Sequence, residues 1–431
     1  MKRFFLIFLL LTALILFCKA TPSLFYKKKE GEQVFKTDYY LFYGQQLRSF
    51  CHHHPHYIAF KQNSSKNAVD LAAQIEAPLS LSFSQRRLQH ETFVLSLRAL
   101  LQDFSLKGKA QTNEAVFLQD LVNWLYLGAD LKEATYHCFK QQLFSEAPCK
   151  KSIRKTLQQL QGEKCFVSKH LKPSDDQFLN GNLPFFLFRL PNLWQTQVIR
   201  MGYPLPTSSK FNFSGKQPLP YPEFATFLQQ QPHLYVNLMR RQGKEKTASL
   251  ALEQLEKIYP LLSVVTLDKN SAFYLQENSK KPMKVEVFKT LFLQQMLKKE
   301  GSYFWSSKLH KQVWDQTLKK ILDLVHQRYF ESNKALSQKE RLNFIELTYL
   351  EILEHLADQL QVASMNITCR QCMDRGPSLY VLWMCKRGLL NQEQVKALLL
   401  CPPLLLHSRP SHRAKVNRFV QALKQVKQNS N

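Results

Sequence analysis

The chain has 431 residues, 45% of them hydrophobic, so it can bury a large core as one large domain or two. Its mean hydropathy of −0.31 reads as a soluble mature chain, and beyond residue 20 no apolar run is long enough to span a bilayer. The net charge of +26 attracts polyanions, yet no zinc-finger, RNP-like or helix-turn-helix motif accompanies it and the basic residues are scattered, so nucleic acid is not an expected partner.

Residues 1–20 pair the basic Lys2 and Arg3 with an apolar run from Phe4 to Cys18 that only Thr12 interrupts, and Ala20 follows. This reads as a secretory signal peptide, hence an exported protein that is periplasmic, secreted or host-delivered. A membrane anchor is the alternative, because Lys27, Lys28 and Lys29 come soon after. The next stretch, 21–90, reads as irregular and mixed, with a His tract (His52, His53, His54, His56) that is either an exposed loop or a transition-metal site. Helical spacing then runs through Phe93–Leu101 and Phe117–Leu127, so 21–170 is expected to be a mostly helical N-terminal region. Prolines crowd 170–225, with a short strand at Gln197–Met201, and mark the boundary into an α/β region over 171–431.

Within that region, strands are expected at His233–Met239 and Leu262–Asp268, with a helix at Thr247–Ile258 between them: a parallel crossover unit. Helices are expected at Phe288–Lys299, Lys311–Tyr329 and Lys339–Leu360, the last opened by a Ser337/Glu340 capping box. Its broad apolar stripe is core packing, not a ligand site. A β-type stretch, Met365–Thr368, then leads to Cys369, and Arg375 follows six residues later. An apolar segment, Leu379–Met384, comes next. That spacing can close a loop whose backbone N–H groups converge on an anion, with a helix N-terminus behind it. Both features favour the thiolate of Cys369, its reactive form, and the planar fork of Arg375 can grip two phosphate oxygens.

The Cys369-x-x-Cys372-Met373-Asp374-Arg375 core resembles the Cys-x-x-Cys-Leu-Asp-Arg loop of Sac-type phosphoinositide phosphatases. Its Asp-Arg pair also resembles the loops of inositol polyphosphate 4-phosphatases and bacterial effector inositol phosphatases. The resemblance covers about ten residues, and the wider chain is similar to predicted bacterial phosphatases with a Cys-x5-Arg-Gly loop. It implies a protein-tyrosine-phosphatase-like parallel or mixed sheet flanked by helices, and hydrolysis of phosphate monoesters through a phosphocysteine. The expected substrates are phosphoinositides, inositol phosphates or phosphotyrosine. No metal or other cofactor is needed, because the loop and Arg375 neutralise the charge. Arg370, Gln371, Cys372, Met373 and Gly376 would wrap the phosphate.

Two residues are eligible as the general acid. Asp374 lies in the loop; its other role is to orient Arg375 or bond nearby N–H groups. Asp268 ends a strand, where open α/β sheets bind ligands; its other role is to form a turn. Arg409 and Arg413, in a basic stretch, either hold further phosphates of an inositol headgroup or are solvated.

The loop departs from the common thiol-phosphatase pattern twice. Gly376 replaces the hydroxyl residue after the Arg, and Cys372 replaces a mid-loop Gly. Other readings stay open. Cys369 and Cys372 could be a redox pair or half of a zinc site, with Cys385 and His355 near in sequence. Apart from Cys18, the cysteines (Cys51, Cys138, Cys149, Cys165, Cys369, Cys372, Cys385, Cys401) are even in number, which permits disulfides in an exported chain. A thiolate enzyme then needs either a reducing destination or Cys372 as a reversible disulfide partner. The functional alternative is a non-catalytic secreted basic protein that binds anionic lipid or other polyanions.

Overall fold

The structure, a computed structural model, describes residues 31–62, 65–77, 83–107, 112–136, 176–206, 219–277, 280–407 and 411–428, apart from 134, 177 and 180. The signal-peptide reading of 1–20 and the cysteines Cys138, Cys149 and Cys165 lie outside these residues.

The N-terminal part is helical: α1 (Gly31–His53), α2 (Tyr57–Lys61), α3 (Lys66–Glu76), α4 (Phe83–Lys107) and α5 (Asn113–Asn123), which runs into a π-helical turn at Trp124–Gly128. The expected irregularity of 21–90 is corrected here, since helices occupy most of it from residue 31 onward. Ser65 and Thr112 cap α3 and α5 by accepting the N–H of the third helical residue, from Ala68 and Ala115. The His tract spans the end of α1, where His52 and His53 are exposed, and the short turn to α2, where His54 and His56 are half-buried. His54 Nε2 lies 3.0 Å from Asp120 Oδ2 with its ring edge-on to Phe117, and His53 Nδ1 lies 2.7 Å from Ser49 O.

The α/β part holds a five-stranded mixed sheet in the order β1-β2-β7-β3-β4. Its strands are β1 (Phe185–Arg189), β2 (Gln197–Arg200), β3 (His233–Asn237), β4 (Leu262–Thr266) and β7 (Ser364–Thr368). β1 runs antiparallel at one edge; β2, β7, β3 and β4 are mutually parallel. A two-stranded ribbon pairs β5 (Met283–Lys284) with β6 (Ala335–Leu336). The helices are α6 (Pro222–Leu228), α7 (Lys246–Ile258), α8 (Ala272–Leu275), α9 (Val285–Leu297), α10 (Lys311–Phe330), α11 (Gln338–Gln359), α12 (Arg375–Lys386), α13 (Gln392–His407) and α14 (Arg413–Gln428).

Every residue of β3, β4 and β7 is buried, which requires cover on both faces. On one face His233 and Tyr235 pack against Phe224 and Phe227 of α6, and Asn237 bonds Ser249 of α7. On the other, α12 lies under β7, and Trp383 meets Phe188 edge-on. The β3–α7–β4 unit forms as its sequence pattern predicts. Ser337 and Glu340 make the reciprocal capping box at the start of α11, most of which is buried. The ion network of Arg98 with Glu223 and Asp176 joins α4 to α6. What this places for function is one line of strand ends: β2, β7, β3 and β4 all finish on the same edge, with β7 between β2 and β3.

Candidate active site

Cys369 follows β7 directly, and Arg375 opens α12, so the loop 369–375 spans a strand end and a helix N-terminus as the spacing predicts. Three outside anchors shape it. Tyr203 donates its N–H to Arg370 O at 2.9 Å, and Asn182 donates Nδ2 to Gln371 O at 3.0 Å. The buried Arg200 donates Nη2 to Gln371 O (3.4 Å) and Cys372 O (3.3 Å). Because each peptide is trans and planar, carbonyls held outward turn the N–H groups of Gln371 and Met373 to the opposite side of the loop. The turn itself needs Cys372 at φ +51°, a conformation that costs a side-chain-bearing residue about 1 kcal/mol.

The thiol of Cys369 is buried. Burial pushes its pKa up, but the Arg375 charge and the N–H groups of Gly376 and Asp374 outweigh it and hold the thiol below its ordinary value. The neighbouring Cys372 is the opposite case: burial pushes it up to about 12, and its Sγ–H points to Ile367 O at 3.2 Å. Its side chain therefore faces β7, and it serves the loop through its backbone. Of the other loop residues, Arg370 is exposed, Gln371 half-buried and Met373 buried.

The guanidinium of Arg375 is fixed by Glu245, which sequence reasoning missed. Nη1 donates to Glu245 Oε2 (2.9 Å) and to Leu238 O (2.8 Å), while Nη2 donates to Glu245 Oε1. A guanidinium carries five N–H groups. Among the described residues the Nε–H and the second Nη2–H find no partner, and they lie on one edge of the fork, suited to two oxygens of one phosphate. Arg375 and the N–H of Arg240 hold the Glu245 carboxyl below its usual range against the opposing effect of burial. Glu245 sits in the loop after β3, at the carboxyl end of a parallel strand; that position is the signal by which it could have been found.

Asp268 lies two residues beyond β4 and is buried at 2% exposure. Burial raises its pKa, opposed by the Asn270 N–H (2.6 Å to Oδ1), Ser302, Arg240 and Arg375. It therefore sits close enough to Arg375 to feel its charge. Asp374 does something different: its Oδ1 accepts the His412 N–H at 2.8 Å and so ties the start of α14 to the loop. Arg409 and the side chain of Arg413 lie outside the described residues.

Two lysines also reach the site: Lys269, to which the sequence reading gave no role, and Lys415, which belongs to the same basic stretch as Arg409 and Arg413. Lys269, fully buried, donates Nζ to Glu346 Oε2 at 2.7 Å and to Ser378 Oγ at 3.3 Å. Ser378 Oγ in turn donates to Arg375 O at 2.9 Å, so this hydroxyl is committed within the first turn of α12. Lys415 of α14 donates to Lys269 O at 2.8 Å. Among the described residues, Cys51, Cys369, Cys372 and Cys385 are free thiols, and no group of His, Cys, Asp and Glu is placed to hold a metal ion.

The two departures of the loop are one packing solution. A Cβ on Gly376 would lie 2.4 Å from Cys372 Sγ and 3.3 Å from Ile367 O. Gly376→Ser is therefore expected to cost about 1–3 kcal/mol by overpacking. Adding Cys372→Gly removes the obstructing sulfur and suits the positive φ, and should return most of that loss. Urea unfolding of both single variants and the double variant checks this coupling; strictly additive changes would contradict it.

No family model, curated protein or solved structure matches the chain. The candidate site therefore stands on its own geometry. Among the described residues, no helix is long and apolar enough to cross a membrane.

Proposed function

We propose that the chain is a cysteine-dependent phosphatase with a protein-tyrosine-phosphatase-like α/β fold, hydrolysing phosphate monoesters of the inositol phosphate, phosphoinositide or phosphotyrosine class. The observation that carries this reading is Cys369. It is a buried thiol at the end of the central parallel strand, held below its ordinary pKa by Arg375 and two loop N–H groups, beside a guanidinium edge that is still open. Such a thiol is a nucleophile beside an anion cradle. At a structural cysteine burial wins, as it does at Cys372 in spite of Arg200 nearby.

The steps follow from these groups. The Cys369 thiolate attacks phosphorus, the P–S bond forms, and the P–O bond to the leaving group breaks. Arg375 and the inward N–H groups of the loop stabilise the oxygens of the transferring phosphoryl. Asp268 gives its proton to the departing oxygen, since burial keeps it protonated above the usual carboxylate range. The resulting carboxylate then takes a proton from water, whose oxygen attacks phosphorus. The P–S bond breaks, and the thiolate leaves onto the N–H groups of Asp374 and Gly376, which stand in for the absent hydroxyl. Asp374, bonded to His412, serves as a brace. The positive surface of the chain suits anionic substrates and membrane surfaces.

The test is phosphate release by reduced protein across pH. The rate of kcat/KM should rise as Cys369 deprotonates and fall as Asp268 does, giving a bell whose lower limb lies below the ordinary thiol range. Asp268→Asn should remove the upper limb. It should slow inositol phosphates by about 10²–10⁴-fold, and p-nitrophenyl phosphate far less, because that leaving group needs no proton. A profile that keeps its upper limb in Asp268→Asn rejects Asp268 as the acid, and no release on any substrate rejects the enzyme.

A further inference from the structure

The start of α14 brings a second set of cations to the lip of the Cys369 loop. His412 is pinned to Asp374, and one turn on, Lys415 reaches Lys269 O. Lys415 Nζ and the Arg418 guanidinium both lie over the Tyr274 ring, at 5.2 and 5.1 Å from its centre. The carboxylate whose charge both of them feel, Glu346, is already used. Its Oε2 accepts from Lys269 Nζ and its Oε1 from the Tyr274 hydroxyl. Among the described residues, Arg418 Nη1 is buried without a hydrogen-bond partner. A buried guanidinium N–H left unpaired is destabilising, a cost that an anion would remove.

We propose that Lys415 and Arg418 form a second anion subsite beside the Cys369 loop, which takes a second phosphate carried by the same substrate. This deepens the phosphatase reading and rests on it. The substrate class becomes a polyol bearing two or more phosphates, free or as a lipid headgroup, rather than an isolated phosphotyrosine. The first phosphate sits on the loop, and the second lies between Lys415 and Arg418 with Lys269 behind them. The electrostatics agree. Lys415 is pushed down to about 8, first by burial and then by Lys269 after β4, Arg375 of α12 and Arg418 of its own helix, while Glu346 of α11 opposes this. Tyr274 of α8 completes its surroundings. An anion there would restore the proton, so binding above pH 8 should take up protons.

The test is calorimetric binding to Cys369→Ser protein, which cannot turn substrate over. The probes are an inositol monophosphate, a vicinal inositol bisphosphate and the short-chain phosphatidyl form of that bisphosphate. The bisphosphate is expected to bind roughly tenfold more tightly than the monophosphate, the gain of one charge-assisted contact set. Above pH 8 its binding heat should change with the ionisation heat of the buffer. Lys415→Met with Arg418→Met, which keep apolar stems on Tyr274, should erase the difference between the two ligands. Equal affinities in the Cys369→Ser parent overturn the proposal without any change to α14, and so does a preference that survives in the double variant. The lipid form separates the sources: a gain beyond the free bisphosphate assigns the site to a headgroup. p-Nitrophenyl phosphate turnover by the wild-type chain reads the phosphatase mechanism separately. Turnover without a bisphosphate preference defeats the second subsite alone.

Discussion

Cys369→Ser is expected to lower kcat/KM for phosphate release by roughly 10⁴-fold or more, with little change in thermal stability. The change replaces one buried atom by a smaller one and leaves the anchors of the loop at Tyr203, Asn182 and Arg200 in place. What disappears is the thiolate, since a hydroxyl cannot ionise with the help of Arg375 and two N–H groups. Arg375→Lys belongs to the same prediction. A lysine keeps a charge but loses the two-pronged edge and the bidentate link to Glu245, so a fall of about 10²–10³-fold is expected. The two variants separate the roles. Cys369→Ser should still bind phosphate or vanadate, whereas Arg375→Lys should bind them weakly. Steady-state kinetics with anion binding on the same preparations checks both. Unchanged turnover in Cys369→Ser would remove the nucleophile from the account.

The largest stability effect is expected at Lys269. Its side chain is fully buried against Glu346, itself at 2% exposure. Glu346 is held below its usual carboxyl range by Lys269 and Arg418 against the opposing effect of burial. Lys269→Met strands that carboxylate in the core, with only the Tyr274 hydroxyl and Arg418 to answer it, and should cost about 3–5 kcal/mol. Removing both charges, as Lys269→Met with Glu346→Leu, should recover much of this, because two apolar groups can fill the space without a desolvated charge. Urea denaturation of the singles and the double gives the coupling directly. A loss under 1 kcal/mol in Lys269→Met would mean that the pair is solvated and that the core around Tyr274 is built differently. The position matters for function as well, since Lys269 also holds Ser378 at the start of α12.

Sequence reading reached the features that are encoded locally. The capping box of Ser337 and Glu340 lies within four residues, and the thiol and its arginine are six apart, so a short window holds the whole pattern. The crossover unit of β3, α7 and β4 was legible for the same reason, as the apolar runs and the amphipathic helix stand side by side. Glu245 was missed because its partner lies 130 residues away, and nothing in the chain near Gly243-Lys244-Glu245 says that a guanidinium will arrive there. Arg200 reads locally as a strand end, yet its charge turns the carbonyls of a loop 171 residues on. The helices over 31–90 are not legible in the sequence because α1 and α4 carry no clean apolar stripe; the apolar residues spread around them, and packing rather than periodicity selects the helix. The loss of the usual hydroxyl at Gly376 is visible in the sequence, but its cause, the Cys372 sulfur in the same space, arises only once the loop folds.

The central claim is a covalent phosphoryl on Cys369. The most direct measurement is mass spectrometry of reduced wild-type protein, quenched in acid within its first turnovers on an inositol bisphosphate and digested. The account predicts one phosphoryl group on the peptide that contains Cys369, lost on longer incubation as substrate runs out and absent in Cys369→Ser. Phosphate release with Cys369 unmodified, or a phosphoryl group on a carboxylate or histidine instead, would contradict it.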